Sequence, residues 1–217
     1  LTKPFVKSGS AQAGYVGADR LRPSNCVILT DTDLFPPGTV SLNGLKVFGE
    51  ESGKVISYAA TMAHASQSGL SRLFDTLLES EGGRLEPLDD LSFYEEGGVS
   101  GLIHGETVLF GTAAFCRKMH VTMPGGLSLK TGAFLAVDGT LIAIFAVKYT
   151  AAENVDWALH ALKRSRITPV LAVRDGSITP ALLKRKFGTD ARAVYPTVST
   201  RLALSEKDGE HPYALLY

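Results

Sequence analysis

Cysteine is scarce in this 217-residue chain: there are two, Cys26 and Cys116. Two thiols cannot build a framework of disulfide staples. One stands in a strand-like run and the other in a helix-like run, the settings of free thiols in a reducing compartment. Net charge is lacking too. Lysine plus arginine number 22 and so do aspartate plus glutamate, which gives no electrostatic argument for nucleic acid or an anionic membrane surface. No apolar run reaches the ~18 residues of a membrane-spanning helix. Leu1-Thr2-Lys3-Pro4 lacks the basic-then-apolar pattern of a signal peptide. The five histidines, His64, His104, His120, His160 and His211, show no metal-ligand spacing among themselves or with the cysteines, which argues against zinc. There is no GxSxG elbow. The chain begins at Leu1 rather than methionine, as expected of a piece of a longer protein. What is present, 45% hydrophobic and 20% charged residues, suits an ordinary globular chain of one large or two small domains.

The most informative segment is Cys26-Val27-Ile28-Leu29-Thr30-Asp31-Thr32-Asp33. Cys26 to Leu29 reads as a buried parallel strand, apolar and rich in β-branched residues. Asp31 then stands just past the carboxyl end of that strand, where open α/β sheets place their ligands. Asp31 and Asp33 could coordinate Mg²⁺ through oxygen and present a nucleophile to a phosphoryl group. The same residues also read as a turn, since Asp and Thr favour turns and Pro36-Pro37-Gly38 follows.

Thr39 to Phe48 reads as extended. Helices are expected over about 54–65 and 70–79, the second stopped by Gly82-Gly83. Short strands are expected at 84–88, 98–103 and 107–110, the last two forming a hairpin across His104-Gly105-Glu106. A short helix, 113–118, leads to a loop containing Pro124-Gly125-Gly126. A second hairpin, 133–137 and 140–147, turns on Asp138-Gly139. An amphipathic helix over 151–164 carries Val155, Leu159 and Leu162 on one face, with Trp157 read as packing. An apolar strand at 169–173, a helix over 179–187 opened by Pro180 and closed by Gly188, and a strand at 192–195 complete the pattern. Helix–strand alternation after about residue 145 implies parallel βαβ units. Leu70, Leu73 and Leu77 form a core stripe. Lys184-Arg185-Lys186 is a solvated helix end, where the dipole favours cations.

Three pairs of segments occur in a telling order. Pro4 to Gly9 precedes the strand ending at Asp31. Gly97-Gly98-Val99-Ser100-Gly101 is followed by Gly105-Glu106-Thr107-Val108-Leu109-Phe110-Gly111. Ala158 to Lys163 precedes Val173-Arg174-Asp175. From about Pro4 to Arg201 this arrangement resembles the cytoplasmic phosphorylation and nucleotide-binding domains of P-type ATPases, particularly the heavy-metal-transporting branch. The resemblance implies an α/β fold: a haloacid-dehalogenase-type, Rossmann-like parallel-sheet domain (1–44 and 133–217) carrying an inserted antiparallel α+β nucleotide-binding-like domain (45–132). It implies Asp31 as the residue that attacks the γ-phosphate of ATP and contacts Mg²⁺. Asp175 would position the phosphoryl group and the metal, and Gly98, Gly101 and Gly111 would belong to the hairpin under the nucleotide. It also implies membrane helices elsewhere in the parent protein, a place on the cytoplasmic face of a membrane, and no nucleic-acid partner.

The departures from the family pattern are many. DKTGT is replaced by Asp31-Thr32-Asp33-Leu34-Phe35, which keeps the aspartate and loses the lysine and both threonines. TGD is replaced by Val173-Arg174-Asp175. The DPxR-like segment becomes Tyr149-Thr150-Ala151-Ala152, the Ser-Glu-His-Pro segment becomes Ser66-Gln67-Ser68-Gly69, and its upstream glutamate becomes Ala63. The first glycine of the triplet is Glu96, and an acid beside a triphosphate is unfavourable without an intervening cation. Gly111-Thr112 replaces a Gly-Asn pair, and the phosphate-pairing lysine falls near Arg201, which keeps charge with different geometry. The GDGxND motif is absent. Two readings follow: a P-type ATPase-like fragment with weakened or lost phosphorylation, or an inactive regulatory or interaction module. Asp33 adds a third, a phosphatase of the wider haloacid dehalogenase superfamily using Asp31 and Asp33. Gly98 and Gly101 read either as nucleotide contacts or as hairpin geometry.

Overall fold

The computed structural model of the protein describes residues 25–125, 131–188 and 192–206. Pro4 to Gly9, Gly126 and His211 lie outside the described residues. Strand β1 (Cys26–Leu29) pairs in parallel with β8 (Thr168–Leu171), with Val27 opposite Pro169 and Leu29 opposite Leu171. A second, antiparallel sheet has six strands in the order β2-β7-β6-β5-β4-β3. These are β2 (Val40–Val47), β3 (Asp89–Tyr94), β4 (Gly98–Ile103), β5 (Glu106–Gly111), β6 (Gly132–Val137) and β7 (Thr140–Tyr149). The helices are α1 (Asp31–Leu34), α2 (Ser52–Ser66), α3 (Ser71–Ser80), α4 (Ala113–Lys118), α5 (Glu153–Arg164), α6 (Pro180–Phe187) and α7 (Val198–Ser205).

Both hairpins turn as their sequences require. His104 and Gly105 have φ of 51° and 81°, and Asp138 and Gly139 have 46° and 80°, the double positive φ that matches the twist of two-residue hairpins. One face of the antiparallel sheet packs on α2 and α3. There Phe74 meets Phe110 and Phe145 edge-on at 5.3 and 4.9 Å, an arrangement aromatic quadrupoles favour. The other face carries a smaller cluster around Phe115, Cys116 and Phe134 on α4, β5 and β6. The larger cluster continues without a break from Val55 and Phe74 through Tyr149 and Phe35 to Leu182 and Phe187 on α6. One apolar core thus joins the two sheets.

Several expectations change. Strands β2, β6 and β7 join β3, β4 and β5 in the one antiparallel sheet, which runs from Val40 to Tyr149. Residues 84–88 form no strand: Pro87 has no N–H for a ladder, and their backbone instead meets α2, with Ser57 Oγ donating to Arg84 O and Glu86 N to Thr61 Oγ1. The neighbouring strand is β3, masked in sequence by Asp89-Asp90. Asp90 sits at φ 54° in an irregular register. The strand expected at 192–195 is reduced to one bridge, Val170 to Val194, and α7 follows it. Cys26 is exposed rather than buried. Trp157 is 59% exposed, so it is not packing. On α3 the deepest residues are Phe74 and Leu78, with Leu73 and Leu77 half-buried beside them.

Candidate functional site

β1 ends at Leu29, and Asp31 opens α1 at the carboxyl end of the parallel pair. Its carboxylate is buried (6% exposed) and is held by three backbone N–H groups. Gly69 donates to Oδ2 at 2.6 Å. Arg174 donates to Oδ1 at 3.0 Å, and Asp175 donates at 3.2 and 3.4 Å to the two oxygens. Gly69 comes from the antiparallel unit. Gln67 ends α2 in the left-handed conformation, φ 52°, and the turn that follows brings the Gly69 amide onto Asp31. Residues 174 and 175 come from the end of β8, so both units meet on this one side chain.

Asp175 is 4% exposed. Its Oδ1 accepts from Ser177 N at 2.9 Å, and its Oδ2 accepts from the hydroxyl of Tyr149. Tyr149 is buried at the last position of β7, with Phe35 edge-on at 5.0 Å. Burial, and then the neighbouring Asp175 carboxylate, push the Asp31 carboxyl up to about 7, against the opposing pull of its three N–H donors. Burial raises Asp175 as well, while Tyr149 and Ser177 pull it down. Tyr149 is held far above an ordinary phenol by burial and by Asp175. The two buried carboxylates repel each other in the ionised state.

The cations that sequence placed nearby are engaged elsewhere. Arg201 is 3% exposed, donates from Nε to Val173 O and from Nη1 to Pro196 O, and stacks 4.3 Å from the Tyr195 ring. The Arg174 side chain reaches Ser205 Oγ at 2.8 Å and Ser66 O at 3.4 Å. Asp33 turns back: its Oδ2 accepts both the N–H and the hydroxyl of Thr30, each at 2.8 Å, as a cap on α1.

The glycines pack closely. A methyl on Gly98 would lie 2.0 Å from the Phe115 ring, one on Gly101 would lie 2.5 Å from Leu88 Cδ1, and one on Gly111 would lie 2.4 Å from Gly98 Cα. Gly98 and Gly111 are therefore called for by close approach to a packed ring and to backbone, whereas at Gly101 the nearest atom is the end of a leucine side chain that can turn away. Between the two units runs a crevice of about 30 Å³, lined by Ser66, Ser68, Gly98, Gly111, Asp175 and Gly176 among others. That is room for a water or two, far below the ~300 Å³ of a small-molecule site. Mg²⁺ prefers near-octahedral oxygen ligation. In this geometry every carboxylate oxygen of Asp31 and Asp175 already faces an N–H or O–H donor. Among the described residues, no group of three or more His, Cys, Asp or Glu could hold a metal ion. As closed in this geometry the crevice has no room for a triphosphate, while each Asp175 oxygen keeps a second lone pair beyond the one its donor uses.

Sequence singled out Asp31, Asp33, Asp175 and the hairpin glycines. The structure brings Asp31 and Asp175 together, leaves Asp33 on the α1 cap, sets Gly98 and Gly111 at the crevice beside Asp175, and keeps Gly101 away from it. Two participants had no clear signal. Tyr149 was legible only as the first position of the segment that replaces the DPxR-like motif, two residues beyond the strand expected at 140–147. Gly69 was legible only as the last position of a degenerate segment.

The chain is 24% identical over 180 residues to copper-transporting ATPase 2 of Rhizobium meliloti (strain 1021), covering 79% of this chain and 22% of that protein. It is 24% identical over 179 residues to copper-transporting ATPase 1 of the same organism, again covering 22% of the relative. The chain thus spans about a fifth of the length of the curated relatives it matches. No family model matches. Among solved structures, the catalytic domain of the CPx-ATPase CopB-B superposes with a TM-score of 0.53 at 14% identity, over 90% of this chain and 69% of that one. A mixed α/β fold, with a parallel strand pair and a six-stranded antiparallel sheet, is what the chain shares with that domain. In sequence the chain is similar to those two copper-transporting ATPases, and in fold it is similar to the CopB-B catalytic domain.

Proposed function

We propose that this chain is the cytoplasmic part of a P-type ATPase-like membrane protein, one that keeps the fold without ATP-driven phosphorylation and serves as a non-catalytic regulatory or interaction module. Membrane helices and the cytoplasmic location are carried over from the relatives; among the described residues no helix is long and apolar enough to cross a membrane. One observation carries the reading. Both oxygens of Asp31, at the family's phosphorylated position, accept backbone N–H groups, and among the described residues no side-chain cation bonds to them. Phosphoryl transfer depends on positioning and on neutralising the charge of the transferring group. Here Asp31 offers a shielded, raised carboxyl, and Arg201 is spent on two carbonyls. The phosphatase alternative loses support because Asp33 is committed to Thr30.

The test is acid-quenched labelling of the chain with γ-radiolabelled ATP and Mg²⁺. The reading predicts no hydroxylamine-labile label above that of Asp31→Asn. Label present in the wild type and absent in Asp31→Asn would refute it.

A further inference from the structure

We propose that the antiparallel unit is latched shut over Asp31 by glycine-only contacts and one acidic arm, so that the two units move as one body and exclude a triphosphate. The inference rests on the non-catalytic reading and names what keeps Asp31 idle.

The contacts are backbone against backbone. A methyl on Gly176 would stand 2.2 Å from Gly97 Cα and 2.5 Å from its carbonyl oxygen, and a methyl on Gly97 would stand 2.7 Å from Gly176 Cα. At the α2–α3 turn, a methyl on Gly69 would stand 2.8 Å from Asp31 Cβ. Gly97 has φ +82°, so its own turn also calls for glycine. Gly69 and Gly176 are not among the residues of positive φ. What excludes a side chain from them is the facing unit, not their backbone conformation.

The acidic arm lies to one side of the glycines. Glu95, at the end of the β3 strand, accepts the N–H of Val198 at 2.7 Å through Oε1. Its Oε2 lies 3.6 Å from Nη1 of Arg201. Arg201 is itself fixed by Val173 O and Pro196 O, so the arm grips a rigid partner. On the other side, the Arg174 guanidinium reaches Ser66 O, and Gly69 N–H is seated on Asp31. Contacts on both sides of the crevice resist both hinge opening and twisting. The continuous apolar core beneath the crevice adds an apolar contact that swinging the units apart would expose to water.

The proposal is tested by spin-label distance measurement on the full chain, with labels at Ser80→Cys on α3 and Arg164→Cys on α5 in a Cys26→Ser background. The wild type should give one narrow distance population, unchanged by millimolar MgATP. Gly176→Val and Glu95→Lys should each broaden it and move it to longer distances, with the helical circular-dichroism signal retained. Glu95 is half-exposed, so its variant decides the matter if Gly176→Val fails to fold. A broad wild-type distribution overturns the latch, as does a narrow one that persists in the folded variants. Phosphoenzyme in a wild type that stays narrow would overturn the non-catalytic reading while the distance result stood. Label appearing only in Gly176→Val would support the latch and show a competent nucleophile behind it.

Discussion

Replacing Asp31 by asparagine separates a structural carboxyl from a reactive one, because the two accounts predict different dependence on pH. Asp31 titrates at about 7 in the folded chain, against an ordinary 3.8. The folded state therefore holds the proton more tightly than the unfolded state. This group's contribution to stability is full below about pH 4, is lost as pH rises toward 7, and is constant above that. At roughly 1.4 kcal/mol per tenfold change in proton affinity, the ceiling on that loss is about 4 kcal/mol. Asp175 shares the site and water can enter by local opening, so about 2–4 kcal/mol is expected. Asparagine has no such titration. It does place an NH₂ group against the N–H of Gly69 or of Asp175, where the carboxylate offered an acceptor, at a cost of about 1–3 kcal/mol. Asp31→Asn should therefore be less stable than the wild type at pH 5 and should match or exceed it at pH 8. Urea unfolding of both proteins at pH 5, 6.5 and 8 reads this directly. Parallel pH profiles, with a constant difference, would refute the assignment of a raised, buried carboxyl to Asp31.

Tyr149→Phe keeps the ring against Phe35 but leaves Asp175 without its hydroxyl donor. A charge-assisted bond of this kind is worth about 1.5–3 kcal/mol, and a thermal melt should fall by several degrees; a melt within one degree of wild type would show the bond to be idle. Gly98→Ala drives a methyl into the Phe115 ring, an overpacking expected to cost about 1–3 kcal/mol. A calorimetric scan showing no loss of stability would return Gly98 to the nucleotide-contact reading. Cys26 is exposed and Cys116 is buried, its thiol pushed up to about 11 by burial. One equivalent of Ellman's reagent should react promptly with the native protein and a second only on unfolding; prompt reaction of both would contradict the packing of α4 on its sheet.

Much of the fold was legible in the sequence, and the reasons are local. Asp138-Gly139 and His104-Gly105 marked their hairpins because only a few residues accept two successive positive φ values. Pro180 and Gly188 bracketed α6 because one suits a first helical turn and the other a left-handed cap. Sheet membership was not legible: β2 lies far in sequence from the β6–β7 hairpin it pairs with, and nothing in their alternation says which sheet they join. Cys26 and Trp157 were misjudged for a related reason, since an apolar residue in a regular element is buried only where another element covers it. In the site, Asp31 and Asp175 were found by position at strand ends. What closes over them comes from Gly69, Tyr149 and Glu95, whose roles depend on tertiary approach. Gly176 went unremarked because a glycine after an aspartate reads as an ordinary turn.

The most direct test of the central claim is an NMR titration of the chain with MgATP, following the amides of Gly69, Gly98, Gly111, Arg174 and Asp175. A latched, non-phosphorylating module predicts no saturable shifts at several millimolar nucleotide. Saturating shifts in the micromolar to low millimolar range, spreading from Gly98 and Gly111 to Gly69 and Asp175, would contradict it, since nucleotide would then be entering between the two units and reaching Asp31.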